Sequence, residues 1–234
     1  MSVFIFWALP IFRKIGVGRL LIGDEFDTTR RLSHRGITHY DGLYDQSRFF
    51  DNALTRYFHR KGWAISQFSI LRPLAELLIQ KILVERYPDL QSLQVSCHAT
   101  HKEGDRVSPC GRCEKCNRIV AMLVALGADP SRCGYKQEKI ASCLKNLPAK
   151  GINQESPGVQ HLGFILKQKG LLTETSIGTV KPRRRSEIMK LRFDPEKSPV
   201  DDIPVDLREP LYLSLIHISE PTRPTATSRM PSSA

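Results

Sequence analysis

Four cysteines fall between positions 97 and 116, at Cys97, Cys110, Cys113 and Cys116, in the string SCHATHKEGDRVSPCGRCEKC. Two overlapping CxxC pairs share Cys113, and the fourth thiol stands upstream across a polar loop. Zinc takes four deprotonated sulfurs at tetrahedral angles, each about 2.3 Å from the ion. Thiols two residues apart in a tight turn can aim at one point, and Gly111 lets that turn fold back. Lys102, Arg106, Arg112, Lys115 and Arg118 flank the cluster and offset the negative charge of a tetrathiolate. The pattern predicts a closed, structural zinc site. Two other readings stay open: reduced thiols with no ion, and a catalytic zinc in which His98 or His101 replaces one cysteine. A disulfide framework fits poorly, because six cysteines in 234 residues is sparse and nothing else looks secreted. Cys133 and Cys143 read as buried thiols outside the ligand set.

A hydrophobic fraction of 41% supports a real core, and 25% charged residues is ordinary. The net charge of +11 is compatible with a nucleic-acid partner, a nucleotide substrate or a solvated basic surface. The one dense basic run, Lys181 to Arg185, lacks interleaved aromatics and reads as an exposed linker. The opening VFIFWALPIF is too short to span a membrane and is followed by Arg13 and Lys14. It has neither a basic leader nor a cleavage site, so it is expected to be a buried helix or strand. With reduced cysteines, this points to the cytoplasm.

Along the body, Gly18 to Gly23 reads as a buried strand. It ends in Asp24, Glu25 and Asp27, where a parallel strand delivers its carboxyl end to a ligand cleft. A polar loop follows from Arg30 to Tyr44. The spacing of Phe49, Phe50, Ala53, Leu54, Tyr57 and Phe58 predicts a helix over 45–61, stopped by Gly62. Strands are expected at 63–70 and 93–97, with helices at 73–87, 117–126, 136–147 and 159–169. Strands alternating with helices predict an α/β fold, a three-layer sandwich with a mostly parallel sheet. Residues 181–210 are Pro-rich and weakly periodic. Leu213 to Arg223 read LSLIHISEPTR, which resembles a translated sequencing adapter; the natural chain is expected to end near Tyr212, with 213–234 a disordered, artefactual tail.

The order strand, GLYDQSRFF helix, strand, Pro-Leu helix, Ser-Cys, then CGxCxxC and a helix resembles the C-terminal part of the 7-cyano-7-deazaguanine synthase family. These are PP-loop (N-type) ATP pyrophosphatases. Ser96-Cys97 and the string Cys110 to Cys116 match that family's zinc string ligand for ligand, and Tyr44, Asp45, Arg48 and Phe50 echo its second segment. The resemblance covers about residues 15 to 127. It implies a truncated Rossmann-like PP-loop domain over 1–130 with its zinc knuckle at 97–116. A helical extension (131–180) and a Pro- and charge-rich extension (181–212) would follow.

The family's SGGxDS nucleotide loop, whose amides hold ATP pyrophosphate at a helix N-terminus, is absent from these residues. In its KxEI motif, Ile79 takes the lysine position and Lys81 the glutamate position. Either the chain begins inside a longer protein or it has diverged, and both together are expected. The resemblance implies an ATP-dependent ligase of modified-purine metabolism that adenylates a carboxylate, which an amine then attacks. Zinc would be structural, with ATP and magnesium bound only by the full-length protein. Asp24, Glu25, Asp27, Tyr44, Asp45 and Arg48 are the candidate contacts to a purine-like substrate, though Asp45 also reads as a helix cap and the acidic trio as a solvated loop. No catalytic residue is assigned. The alternatives are a zinc-knuckle nucleic-acid module, with its cations on one exposed face, and a non-catalytic scaffold of the same fold.

Overall fold

The computed structural model describes residues 2–40 and 43–215. It opens on α1 (Ser2–Lys14), which turns at Gly16 into β1 (Arg19–Leu21). The polar loop expected next holds a hairpin, β2 (Arg31–His34) and β3 (Ile37–Tyr40), turned by Arg35 and Gly36 at positive φ. Its strands alternate too few apolar residues to be read as such. Helix α2 (Arg48–Arg60) follows, capped by the Ser47 side chain, which accepts from the Phe50 amide; Asp45 does not serve as its cap. Gly62, at φ +70°, ends the turn that leads into β4 (Ser66–Phe68).

Strands β1 and β4 pair in parallel, Arg19 opposite Ser66 and Leu21 opposite Phe68. Helix α2 is the crossover between them, and its Leu54 and Phe58 pack with Leu20, Ile65 and two residues of α1, Ile5 and Leu9. The described residues form a mixed helix and sheet fold whose parallel ladder has two strands, not a broad central sheet.

After β4 comes α3 (Glu76–Arg86), starting three residues later than the Pro73 expected, because Leu74 and Ala75 remain extended or turn-like. The segment expected as a strand before Cys97 is instead a short 3₁₀ turn ending at Leu93 and an irregular stretch. The hairpin β5 (His101–Glu103) and β6 (Arg106–Ser108) then leads to α4 (Glu114–Ala125). Helices α5 (Gln137–Lys150), α6 (Ser156–Gln168) and α7 (Val205–Leu215) complete the chain.

One cluster of buried side chains joins these helices: Leu77 and Leu78 from α3, Ile119 to Leu123 from α4, Ile140 and Leu147 from α5, Leu162 and Leu166 from α6. Ile177, Ile188 and Met189 close it. The cluster therefore draws on residues from both sides of positions 130 and 180. Helix α7 continues through Leu215, itself buried, so the first three residues of the expected tail, 213–215, are helical; the rest of that tail lies outside the described residues.

Helix α1 corrects the expectation of a buried element. Ile5 and Leu9 are covered, but Val3, Phe4, Ile11 and above all Trp7, 84% exposed, face outward. Apolar residues on every side of a helix cannot all reach a single flanking core. No helix among the described residues is long and apolar enough to cross a membrane.

Candidate functional site

The four predicted thiols converge. All their sulfurs lie within 4.8 Å of one another, with Cys97 to Cys113 at 3.9 Å, Cys110 to Cys116 at 3.8 Å and Cys113 to Cys116 at 3.4 Å. A tetrahedron with metal–sulfur bonds of about 2.3 Å has edges of about 3.8 Å. The cage could therefore hold one metal ion, and among the described residues no other group of three or more potential ligands is so close. His98 and His101 stand outside it. His101 instead pairs with Glu103 at 2.9 Å.

Local structure explains the convergence. The amides of Ala99 and Cys110 donate to Cys97 Sγ at 3.3 and 3.2 Å. Cys113 is the N-cap of α4, so Cys116 enters its first turn and is buried. Burial pushes the thiols up, most strongly at Cys116 and also at Cys97. At Cys110 burial is outweighed by the amides of Arg112 and Cys113, which stabilise the thiolate and bring its pKa down to about 6; Cys113 is lowered in the same way by the amides of His98 and Cys116. A thiolate at neutral pH is the form that a metal needs.

Helix α5 braces the cage. Gly111 sits at φ +70°, and a Cβ there would come within 2.5 Å of the Lys139 stem, while Lys139 Nζ donates to the Pro109 carbonyl at 2.8 Å. Cys143 Sγ donates to the Gly111 carbonyl at 3.3 Å, and Cys133 lies buried near Gln94. Neither thiol belongs to the cage.

Beside the cage opens a polar cleft of about 540 Å³ at the carboxyl end of β1. It brings together Asp24, Glu25 and Asp27 with Lys115 and Arg118 from α4, Glu76 from α3, and Asn153 to Glu155 from the α5–α6 connection. A second lobe of about 390 Å³ shares Gln46, Lys115 and Arg118 and adds Leu43 and His98. Arg118 pairs with Glu76 at 3.3 Å and donates to the Asn153 carbonyl at 2.7 Å.

Burial dominates the electrostatics of this cleft. Asp24 is 2% exposed and its pKa is raised to about 7, held down only in part by Arg72, whose Nη2 is 3.6 Å away. Arg72, equally buried, is committed to Asp51 at 2.7 Å, Thr28 at 2.7 Å and the Gln46 carbonyl at 2.9 Å. Glu76 is raised by burial to about 7. Asp27 reaches about 9 through burial and its contact with Glu155.

The other candidates lie elsewhere. Tyr44 is half exposed and packs against Tyr40 and Phe50, and neither it nor Asp45 lines the cleft. Arg48 donates through the Nε and Nη2 edge of its guanidinium to both carboxylate oxygens of Asp202, at 2.6 and 2.8 Å. Gln46, between them, is the residue of this segment that faces the cleft. Glu155 and Arg192, 3.7 Å apart beside Asp27, carried no sequence signal: Glu155 is one acidic residue before a Ser-Pro helix start.

The five cations around the cage are divided. Lys102 and Arg112 are exposed, Arg106 donates to the carbonyls of Ser92 and Arg132, and Lys115 and Arg118 turn into the cleft. Comparison of the chain with protein-family models, with curated proteins and with solved structures gave no match in any of the three.

Proposed function

We propose that this chain carries the substrate-binding, zinc-bearing part of an ATP-dependent ligase resembling 7-cyano-7-deazaguanine synthase, which activates the carboxylate of a purine-like substrate. The observation that supports this most is the placement of Lys115 and Arg118. Both project from the helix capped by a cage cysteine into a cleft at the end of a parallel strand, opposite Asp24, Glu25 and Asp27. A carboxylate-activating site needs cations that meet the substrate's charge in a fixed position. Thiolate donors suit zinc, and four of them leave no open coordination position, so its role here is structural. The cage sets the first turn of α4, and α4 presents the cations.

In this reading ATP supplies the adenylyl group, held with magnesium by an SGGxDS loop that these 234 residues do not contain. The parallel pair β1 and β4 would then belong to a broader three-layer sandwich of the PP-loop kind. Free thiols at the cage fit a reducing, cytoplasmic setting. A nucleic-acid module is favoured less, because the cations do not gather on one exposed face.

Elemental analysis is expected to give one zinc per chain, with four thiols that react only after chelation. Calorimetry is expected to show a carboxylated 7-deazapurine binding more tightly than its decarboxylated analogue, a preference lost in Lys115→Ala. Equal binding of the two, or steeply salt-dependent binding of RNA in their place, would remove the ligase reading.

A further inference from the structure

The α5–α6 connection lies outside the segment that carries the family resemblance, yet it forms one wall of the cleft. Glu155 is 8% exposed and lines the same cleft as Asp27, and the two carboxyl groups act on each other's titration as a pair that shares one proton. Burial and this partnership raise Asp27 while Glu155 is held low by Asp27 and Arg192, which places the proton on Asp27 at neutral pH. That proton satisfies only one oxygen. Asp27 Oδ1, Glu155 Oε2, the neighbouring Gln154 Oε1 and Asp24 Oδ2 are all shielded from solvent without a hydrogen-bond donor. The nearest cation to Glu155 Oε2 is Arg192 Nη1 at 3.7 Å, beyond hydrogen-bond length, with its guanidinium laid over the Phe26 ring.

Buried acceptors are almost always paired in folded proteins, so several orphans lining one cleft require an explanation. These carboxyl groups do not build a closed protein cage for a metal ion: among the described residues only the cysteines bring three ligand atoms within 4.8 Å. Acceptors spread over a wider surface match a planar group with several N–H donors.

We propose that Asp27 and Glu155 form a specificity-determining subsite that reads an amidine- or amide-type NH₂ edge on the ligand, with Glu155 supplied by the extension rather than by the family-like part. The subsite rests on the reading of the cleft as a ligase substrate site. Lys115 and Arg118 would hold the carboxylate end, and the carboxyl pair would select what the ring presents at the other. Wall side chains rotate to meet the donors, and the orphaned oxygens gain the bonds they lack.

The test uses the full chain and acetamidinium as probe, followed by backbone amide NMR, with tetramethylammonium as a cation lacking donors and acetate as a planar group lacking them. Acetamidinium is expected to shift residues 23–28 and 153–155 saturably, and the two controls are not. Glu155→Gln and Asp27→Asn are each expected to weaken it about tenfold, with the zinc content and the dispersion of the amide spectrum unchanged. Tetramethylammonium matching acetamidinium, or both variants binding like the parent chain, overturns the subsite. Should one variant fail to fold, the other decides. The two readings fail separately. Loss of deazapurine binding with acetamidinium retained removes the ligase assignment alone, whereas deazapurine bound equally by parent and Glu155→Gln removes the subsite alone.

Discussion

Arg48 and Asp202, 154 positions apart, meet in a two-point ion pair, Nε to Oδ2 at 2.6 Å and Nη2 to Oδ1 at 2.8 Å. Both side chains are less than one-fifth exposed. A second two-point pair joins Arg19 to Asp206, and Arg31 meets Glu196 through one nitrogen, so the segment from 196 to 206 is tied to the N-terminal half by charge.

Because the Arg48 pair is bidentate and shielded, Asp202→Asn is expected to destabilise the protein by about 2 kcal/mol, while Asp206→Asn at the solvent-exposed pair is expected to cost much less. Urea unfolding of the two variants measures the difference. Equal effects would mean that the shielded pair has no special weight.

Gly111→Ala tests the brace between α5 and the cage. The new methyl group meets the Lys139 stem at 2.5 Å, on a backbone conformation that disfavours side chains. Metal affinity is expected to fall at least tenfold, read by competition with a chromophoric chelator. Lys139→Gly in the same background relieves the clash but not the backbone strain, and is expected to restore affinity in part.

The raised carboxyl groups fix a direction for pH. Asp24 and Glu76, near 7, and Asp27, near 9, ionise later in the folded chain than in the unfolded one. Their contribution is complete below about pH 4 and is lost as pH rises through those values. Between pH 6 and 9 the unfolding midpoint of the metal-loaded protein is expected to fall, and Asp27→Asn to flatten that fall. A midpoint that rises over this window contradicts the burial of these groups.

Phe58 of α2 is wholly buried in a cluster with Ile5 and Leu9 of α1, Leu20 of β1 and Ile65. Phe58→Ala is expected to lose about 3–5 kcal/mol, measured by urea unfolding. A loss under about 1 kcal/mol would show that the smaller cluster collapses to fill the space.

Much of the helical framework was legible because long apolar periodicities are local properties: α2, α4, α5 and α6 fall within a few residues of where spacing places them. The cage was legible for the same reason, since three of its thiols occupy one turn and their spacing dictates their aim. The hairpin β2–β3 was not, because Arg31 to His34 offers no alternation of buried and exposed residues. Arg48 looked like a ligand contact because its partner is remote in sequence, and nothing local marks Asp202 as its counter-ion. Glu155 was missed for the mirror-image reason. Its position beside Asp27 depends on how α6 packs on α4, a tertiary fact that no short window contains.

The helix carrying Cys116 buries Ile119, Val120 and Leu123 against side chains supplied by residues 135 to 189. A peptide excised around the cage, say residues 95 to 127, would keep all four cage thiols and expose that whole apolar stripe. Such a piece is expected to load metal and then self-associate, so this knuckle behaves as an inseparable keystone rather than a portable finger.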